Sequence, residues 1–232
     1  MSTKIQWTDK TWSPVTGCSK ISAGCKNCYA EKMTARLQAM GLEKYEHGFK
    51  KVVCHSDDLT THFPGKSKMI FVNSMSDTFH KDVPTEFILD IFDQIRQYPQ
   101  HIFQVLTKRA ERLREIKSYP TNAWVGVTVE NSDNIVRIPY LQESNAHIKF
   151  LSIEPLLSDI SFLPLGNIDW VIVGAESGHN ARHCDIKWIR NIKEQCKVAN
   201  VPIFIKQIQV DGKLVKDINQ FPPDLQIREY PI

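Results

Sequence analysis

Three cysteines crowd into eleven residues of this sequence: Cys18, Cys25 and Cys28 read C-x6-C-x2-C. Thiolates are soft ligands that suit zinc or an iron–sulfur cluster. Gly17 and Gly24 in the same loop let the backbone wrap around a metal centre. Structural zinc takes four ligands, so a fourth would have to come from elsewhere, for instance His47, His55 or Cys54. A cubane cluster held by three thiolates keeps one iron open to a substrate or cofactor, unlike an electron carrier held by four. Unliganded cysteines are the remaining alternative. Of the other thiols, Cys54 neighbours His55, Cys196 lies on an apolar helical face like a small core residue, and Cys184 sits in a loop.

The elements that must position this loop form a repeating pattern. Short apolar runs rich in Val, Ile and Phe read as buried parallel strands, and each ends in polar or charged residues. Residues 69–72 run into Asn73-Ser74-Met75-Ser76-Asp77, and 102–106 into Thr107-Lys108-Arg109. The run 124–129 ends at Glu130, 148–153 at Glu154, 170–173 at Gly174-Ala175-Glu176-Ser177, and 203–205 at Lys206-Gln207. Helical spacing of apolar residues predicts helices over 84–97, 186–198 and 28–40, the last with Met33, Leu37 and Met40 on one side. Weaker helical patterns cover 109–117 and 131–142.

Alternating strands and helices predict parallel βαβ units. With a further strand before Cys18, about six to seven parallel strands are expected, as a complete or incomplete β/α barrel in a single domain over 1–232. An open doubly wound sheet is the alternative. In such barrels function gathers at the carboxyl ends of the strands, where Asp77, Lys108, Glu130, Glu154, Glu176 and Lys206 all fall. Strand ends also meet solvent, which collects charge there in any case.

Composition narrows the class. The chain has 232 residues, 42% hydrophobic and 24% charged, which excludes a disordered tail or a disulfide-dense miniprotein. No apolar run approaches the ~20 residues of a membrane helix. The first thirty residues hold Trp, Asp, Pro and three Cys instead of a basic start and an apolar stretch. A cytoplasmic protein without membrane partners is therefore expected. A net charge of +3 is a mild bias that does not itself indicate a nucleic-acid binder.

The motifs together resemble the phage Gp37/Gp68-like family, which carries a three-cysteine motif and looks related to the radical S-adenosylmethionine (SAM) superfamily. The resemblance rests on Trp7-Thr8-Asp9, Thr11-Trp12-Ser13-Pro14, the cysteine loop, Phe71-Val72-Asn73-Ser74-Met75-Ser76-Asp77 and Val105-Leu106-Thr107-Lys108-Arg109. It continues through Trp124–Glu130 as WVGVTVE, 151–157 as LSIEPLL, 168–178 as IDWVIVGAESG, and Phe204-Ile205-Lys206-Gln207. It implies a [4Fe–4S] cluster on Cys18, Cys25 and Cys28, SAM on the open iron, and an electron donor such as a flavodoxin or ferredoxin. Likeness to spore photoproduct lyase, a DNA repair enzyme, implies a nucleic acid or nucleotide substrate. Two departures stand out. The superfamily spacing is C-x3-C-x2-C, and Asn27 replaces the aromatic usually found before the last cysteine, with Tyr29 on its other side.

On that resemblance, Ser74, Ser76 and Asp77 would meet the amino group of SAM, and Lys108 its carboxylate. Glu130 or Glu154 would accept from the ribose hydroxyls, and Tyr29 would stack near the cluster. Glu176 and Lys206 would face the substrate or pair with each other. The basic stretch Lys108, Arg109, Arg112, Arg114 and Lys117 can contact phosphates or form a solvated face. Two other classes stay open: a non-catalytic nucleic-acid-binding module with structural zinc or a structural cluster, and a barrel hydrolase using Glu130 and Glu154 with a divalent metal.

Overall fold

A computed structural model describes residues 3, 5–178 and 180–231. Its core is one sheet of eight strands. In chain order these are β1 (Lys10–Trp12), β4 (Met69–Val72), β5 (Ile102–Thr107), β6 (Ala123–Thr128), β7 (Ile148–Ile153), β8 (Trp170–Gly174), β9 (Ile203–Val210) and β10 (Lys213–Val215). The spatial order is the same as the chain order. The first seven of these strands pair in parallel, and β10 returns antiparallel on β9. Two short strands, β2 (Val15–Thr16) and β3 (Val53–Cys54), pair antiparallel beside the sheet. Among the described residues β1 and β10 are the two edges and do not pair, so no closed barrel forms. The doubly wound alternative fails differently, because it needs a reversal of strand order that is absent here.

Among the described residues four α-helices accompany the strands: α1 (Tyr29–Ala39), α2 (Thr85–Arg96), α3 (Ile138–Gln142) and α4 (Ile186–Ala199). Pro84 stands immediately before α2, and its fixed φ of −59° suits a helix entry. Asp185 caps α4 by accepting from the Lys187 amide, and Asn200 ends it in the left-handed region at φ +54°. The two weaker patterns are mostly 3-10 turns, Ala110–Glu115 and Ser132–Arg137, with only α3 continuing as α-helix. In α1 the expected apolar side does not face the core. The helix buries Ala30 and Thr34, half-buries Leu37, and leaves Met33 and Met40 exposed.

The strands carry two different apolar layers. On one face, Val and Ile side chains pack with Phe87, Ile88, Ile91, Ile138, Leu141, Ile189 and Ile192 of α2, α3 and α4. The other face is aromatic: Trp7, Phe71, Trp124, Phe150, Trp170, Ile172 and Phe204 form a separate cluster to which, among the described residues, no helix contributes. Period-2 alternation along each strand sends neighbouring residues to opposite faces. Gly126 of β6 belongs to the aromatic face, and a Cβ there would lie 2.6 Å from the ring of fully buried Phe150.

Overpacking a filled core costs about 1–3 kcal/mol. Gly126→Ala is therefore expected to lower the unfolding free energy by that amount, seen as a lower urea midpoint. Gly166→Ala, where the added methyl meets open space, should leave it unchanged. Equal midpoints for the two variants would contradict the packing described.

Candidate functional site

The carboxyl ends of the parallel strands, with the cysteine loop laid over them, enclose a cavity of about 240 Å³. Cys18, Cys25, Cys28, Tyr29, Ser74, Ser76, Asp77, Lys108, Glu154, Glu176 and Lys206 all line it. Of the twelve residues singled out in the sequence, only Glu130 does not. Its floor is apolar and comes from Trp7, Phe71 and Leu106.

The loop begins at Gly17, whose φ of +80° is left-handed and whose hydrogen leaves room for the Lys51 carbonyl. The Cys18 amide then donates to Phe49 O at 2.7 Å, and Ser76 Oγ donates to Gly17 O at 2.5 Å. Asn73, itself left-handed at φ +58°, accepts from the Val15 amide at 2.9 Å and donates to Thr78 Oγ1. These bonds tie the chain after β1 to the end of β4.

Three carboxylates then fasten the loop, each with its own arginine. Asp77 pairs with Arg109 at 3.0 Å and accepts from Thr107 Oγ1 at 2.7 Å and the Phe79 amide at 2.9 Å. From that pair Arg109 reaches Ser19 O at 2.9 Å and Cys18 Sγ at 3.7 Å. Glu130, fully buried, pairs with Arg137 at 2.9 Å and accepts from Ser22 Oγ at 2.6 Å. Gly24 lies against it, since a Cβ there would come within 2.5 Å of Glu130 Cγ. Glu176 pairs with Arg182, which donates onward to Ala23 O at 2.9 Å, while Asn27 Nδ2 donates to Glu176 at 3.0 Å. Buried charges need such partners.

These commitments correct several expected roles. Glu130 is a loop anchor behind the cavity and is not placed to meet a ribose. Asp77 faces the cavity, but its oxygens are already engaged. Glu176 and Lys206 do not pair with each other: Lys206 pairs with Glu154 at 2.5 Å, and Glu176 with Arg182. Glu130 and Glu154, proposed as a metal-binding carboxylate pair, are each tied to a different cation, Arg137 and Lys206. Lys108 Nζ lies 3.4 Å from Thr128 Oγ1 and 3.8 Å from Glu130. Tyr29 donates its hydroxyl to the Ser74 carbonyl. The basic stretch is largely consumed inside the protein. Arg109 is buried, Arg112 donates to the His80 and Val83 carbonyls, and Arg114 pairs with Glu143 and stacks on Tyr140.

The thiols themselves differ. Burial, then the Asp77 charge, pushes Cys18 up to about 11 despite Arg109. Burial also acts to raise Cys25, but backbone hydrogen bonds from Ile21 and Ser22 and the Lys108 charge together hold it below its usual value. Among the described residues no three His, Cys, Asp or Glu side chains are grouped as ligands of one metal ion. Among the described residues no histidine lines the cavity. The candidates for a fourth zinc ligand lie elsewhere: Cys54 pairs in register with Val15, His55 bonds Thr16 Oγ1 at 2.8 Å, and His47 faces Glu46. Cys184 and Cys196 are buried in the helix-side core. A single zinc needs every sulfur about 2.3 Å away. A cubane instead offers thiolates separate irons, which suits three thiols set around one cavity.

Sequence reasoning missed Ser22, Asn27, Arg137 and Arg182. Ser22 and Asn27 lie inside the motif but carry no distinctive spacing, and the arginines carry no local signal at all. Arg182 meets Ala23 across 159 positions, and Asn27 meets Glu176 across 149.

The chain belongs to the family described as protein of unknown function DUF5131, whose profile it matches over residues 2–219. No curated protein and no solved structure matches it. No helix among the described residues is long and apolar enough to cross a membrane.

Two outcomes follow from the anchoring. Glu130→Ala would leave Arg137 buried without its partner, so a loss of about 3–5 kcal/mol is expected in chemical denaturation. Burial acts to raise the Glu176 carboxyl, but Arg182 and Asn27 outweigh it and lower it from 4.5 to about 2. Its contribution to stability is thus complete above about 4.5 and fades as pH falls toward about 2. Glu176→Gln should flatten the stability-versus-pH curve in that window, and an unaltered curve would refute the assignment.

Proposed function

We propose that this chain is a radical SAM-type enzyme built on an incomplete β/α barrel, with a [4Fe–4S] cluster held by Cys18, Cys25 and Cys28. The observation that carries the reading is the placement of three thiols around one cavity at the carboxyl ends of parallel strands. Further support comes from the sheet. Its strands follow chain order, helices α2 to α4 pack on one face, and the other face is a helix-free aromatic interior. An incomplete barrel has this arrangement.

When bound, the cluster and SAM supply reductive cleavage of the sulfonium to methionine and a 5′-deoxyadenosyl radical that takes a hydrogen atom from the substrate, with a flavodoxin or ferredoxin supplying the electron. The protein's part is to bind, orient and exclude water. Lys108 offers an ammonium to the carboxylate of SAM. Glu154 offers its carboxylate to the ribose hydroxyls, and Ser74 adds a polar contact for the amino group. Trp7, Phe71 and Leu106 keep the floor of the cavity apolar, which shields a reactive intermediate from water. Lys206, held in place by Glu154, lines the same cavity and offers a cation to the substrate. A nucleic acid or nucleotide is the substrate class we favour.

Protein purified without oxygen should be brown and carry four irons and four sulfides per chain. With SAM and dithionite it should release 5′-deoxyadenosine and methionine in equal amounts, and Cys25→Ala should abolish both the colour and the cleavage. Colourless protein with one tightly held zinc and no cleavage would point instead to a nucleic-acid-binding module. Activity that survives Cys25→Ala would exclude the radical reading.

A further inference from the structure

Helix α1 leaves the cysteine loop directly, with Cys28 as the residue before its first turn. Residues 29, 33 and 40 fall within about 40° of each other around the helix axis. These are Tyr29, Met33 and Met40, exposed by 50%, 39% and 63%. The buried side, Ala30 and Thr34, lies about 100° further round. The helix thus packs Ala30 and Thr34 inward, holds Leu37 half-buried, and presents Tyr29, Met33 and Met40 to solvent. Ile21 and Leu42, exposed by 47% and 39%, lie just beyond its two ends in sequence.

Cations border the stripe. Lys26, Lys32 and Arg36 are exposed, and the ion pairs of this segment are made by other residues, Lys20 with Glu31 and Lys44 with Asp58. Residues 1–51 hold nine Lys and Arg against four acidic residues, a net of +5, whereas the remainder of the chain is net −2. An exposed apolar stripe with a charged border is the usual anatomy of a docking surface.

The thiol inventory indicates what docks. Cys54 is held in β3, and Cys184 and Cys196 are buried in the core. No second set of three or four cysteines is left to hold a relay cluster, so an electron must enter from a partner seated near the cysteine loop. We infer that the exposed face of α1, through Met33 and Met40 with Lys32 and Arg36, docks an acidic one-electron redox protein beside the cluster. This inference rests on the radical SAM reading.

The test compares two electron sources on cluster-loaded protein: reduced flavodoxin, which must dock, and dithionite, which need not. K32E/R36E and M33D/M40D should each slow 5′-deoxyadenosine formation with flavodoxin by about tenfold or more. Both should match the wild type with dithionite. The flavodoxin rate of the wild type should also fall as salt is raised. Variants that keep the wild-type flavodoxin rate, or lose both rates equally, would overturn the docking site. So would K32E/R36E losing DNA binding while its flavodoxin rate holds, which would assign the face to nucleic acid. If the wild type cleaves SAM with dithionite but not with flavodoxin or ferredoxin, the docking inference alone fails. If it cleaves with neither reductant, the radical reading itself fails.

Discussion

A carboxylate at the end of a parallel strand can be buried only where a cation and hydrogen-bond donors replace its water. Asp77, Glu130 and Glu176 meet that condition with Arg109, Arg137 and Arg182, and in each case the bonds extend to the cysteine loop. The ends of β4, β6 and β8 thereby grip one segment at Ser19, Ser22 and Ala23–Asn27. The gaps between the cysteines hold most of these gripped residues. Ser19, Ser22, Ala23 and Gly24 occupy the first gap, and Asn27 the second. The longer first gap therefore has a structural use: it gives each of the three anchors something to hold.

That arrangement depends on the two unlike faces of the sheet. The aliphatic face takes α2, α3 and α4 and holds most of the buried apolar residues. Among the described residues the aromatic face takes no helix, and its large rings fill the interior. Space for Phe150 exists because β6 carries Gly126 opposite it. A register shift between Val173 and Gly174 lets β9 bring Gln207 alongside Gly174. Lys206 thus lines the cavity beside Glu154 while Gln207 stays buried.

The chemistry left over after anchoring is narrow. Once Asp77, Glu130 and Glu176 are assigned to the loop, the cavity keeps three thiols, Lys108, the Glu154–Lys206 pair and a few hydroxyls. The hydrolase reading loses its carboxylate pair in this way. Phosphate contact by the basic stretch from Lys108 to Lys117 weakens too, because Arg109, Arg112 and Arg114 are spent on carbonyls and carboxylates of the protein itself. Surface charge gathers instead around α1, next to the last cysteine of the motif.

The strand runs over 69–72 and 148–153 matched the structure residue for residue, and the helix patterns at 84–97 and 186–198 differed only at their ends. Alternation and helical periodicity are local properties, so they could be read without a structure. Strand ends are equally local, and of the six charged residues read there, five (Asp77, Lys108, Glu154, Glu176 and Lys206) line one cavity. Sheet closure and partner choice were beyond reach. Whether β1 meets the last strand depends on accumulated twist and register, which no single segment encodes. Glu130 looked like its neighbours in sequence, yet packing gave it Arg137 and Ser22 and set it behind the site. For α1 the apolar spacing was legible, but only the tertiary contacts decided which side was buried. Spacing defines a stripe on a helix, and the protein around the helix decides whether that stripe faces inward.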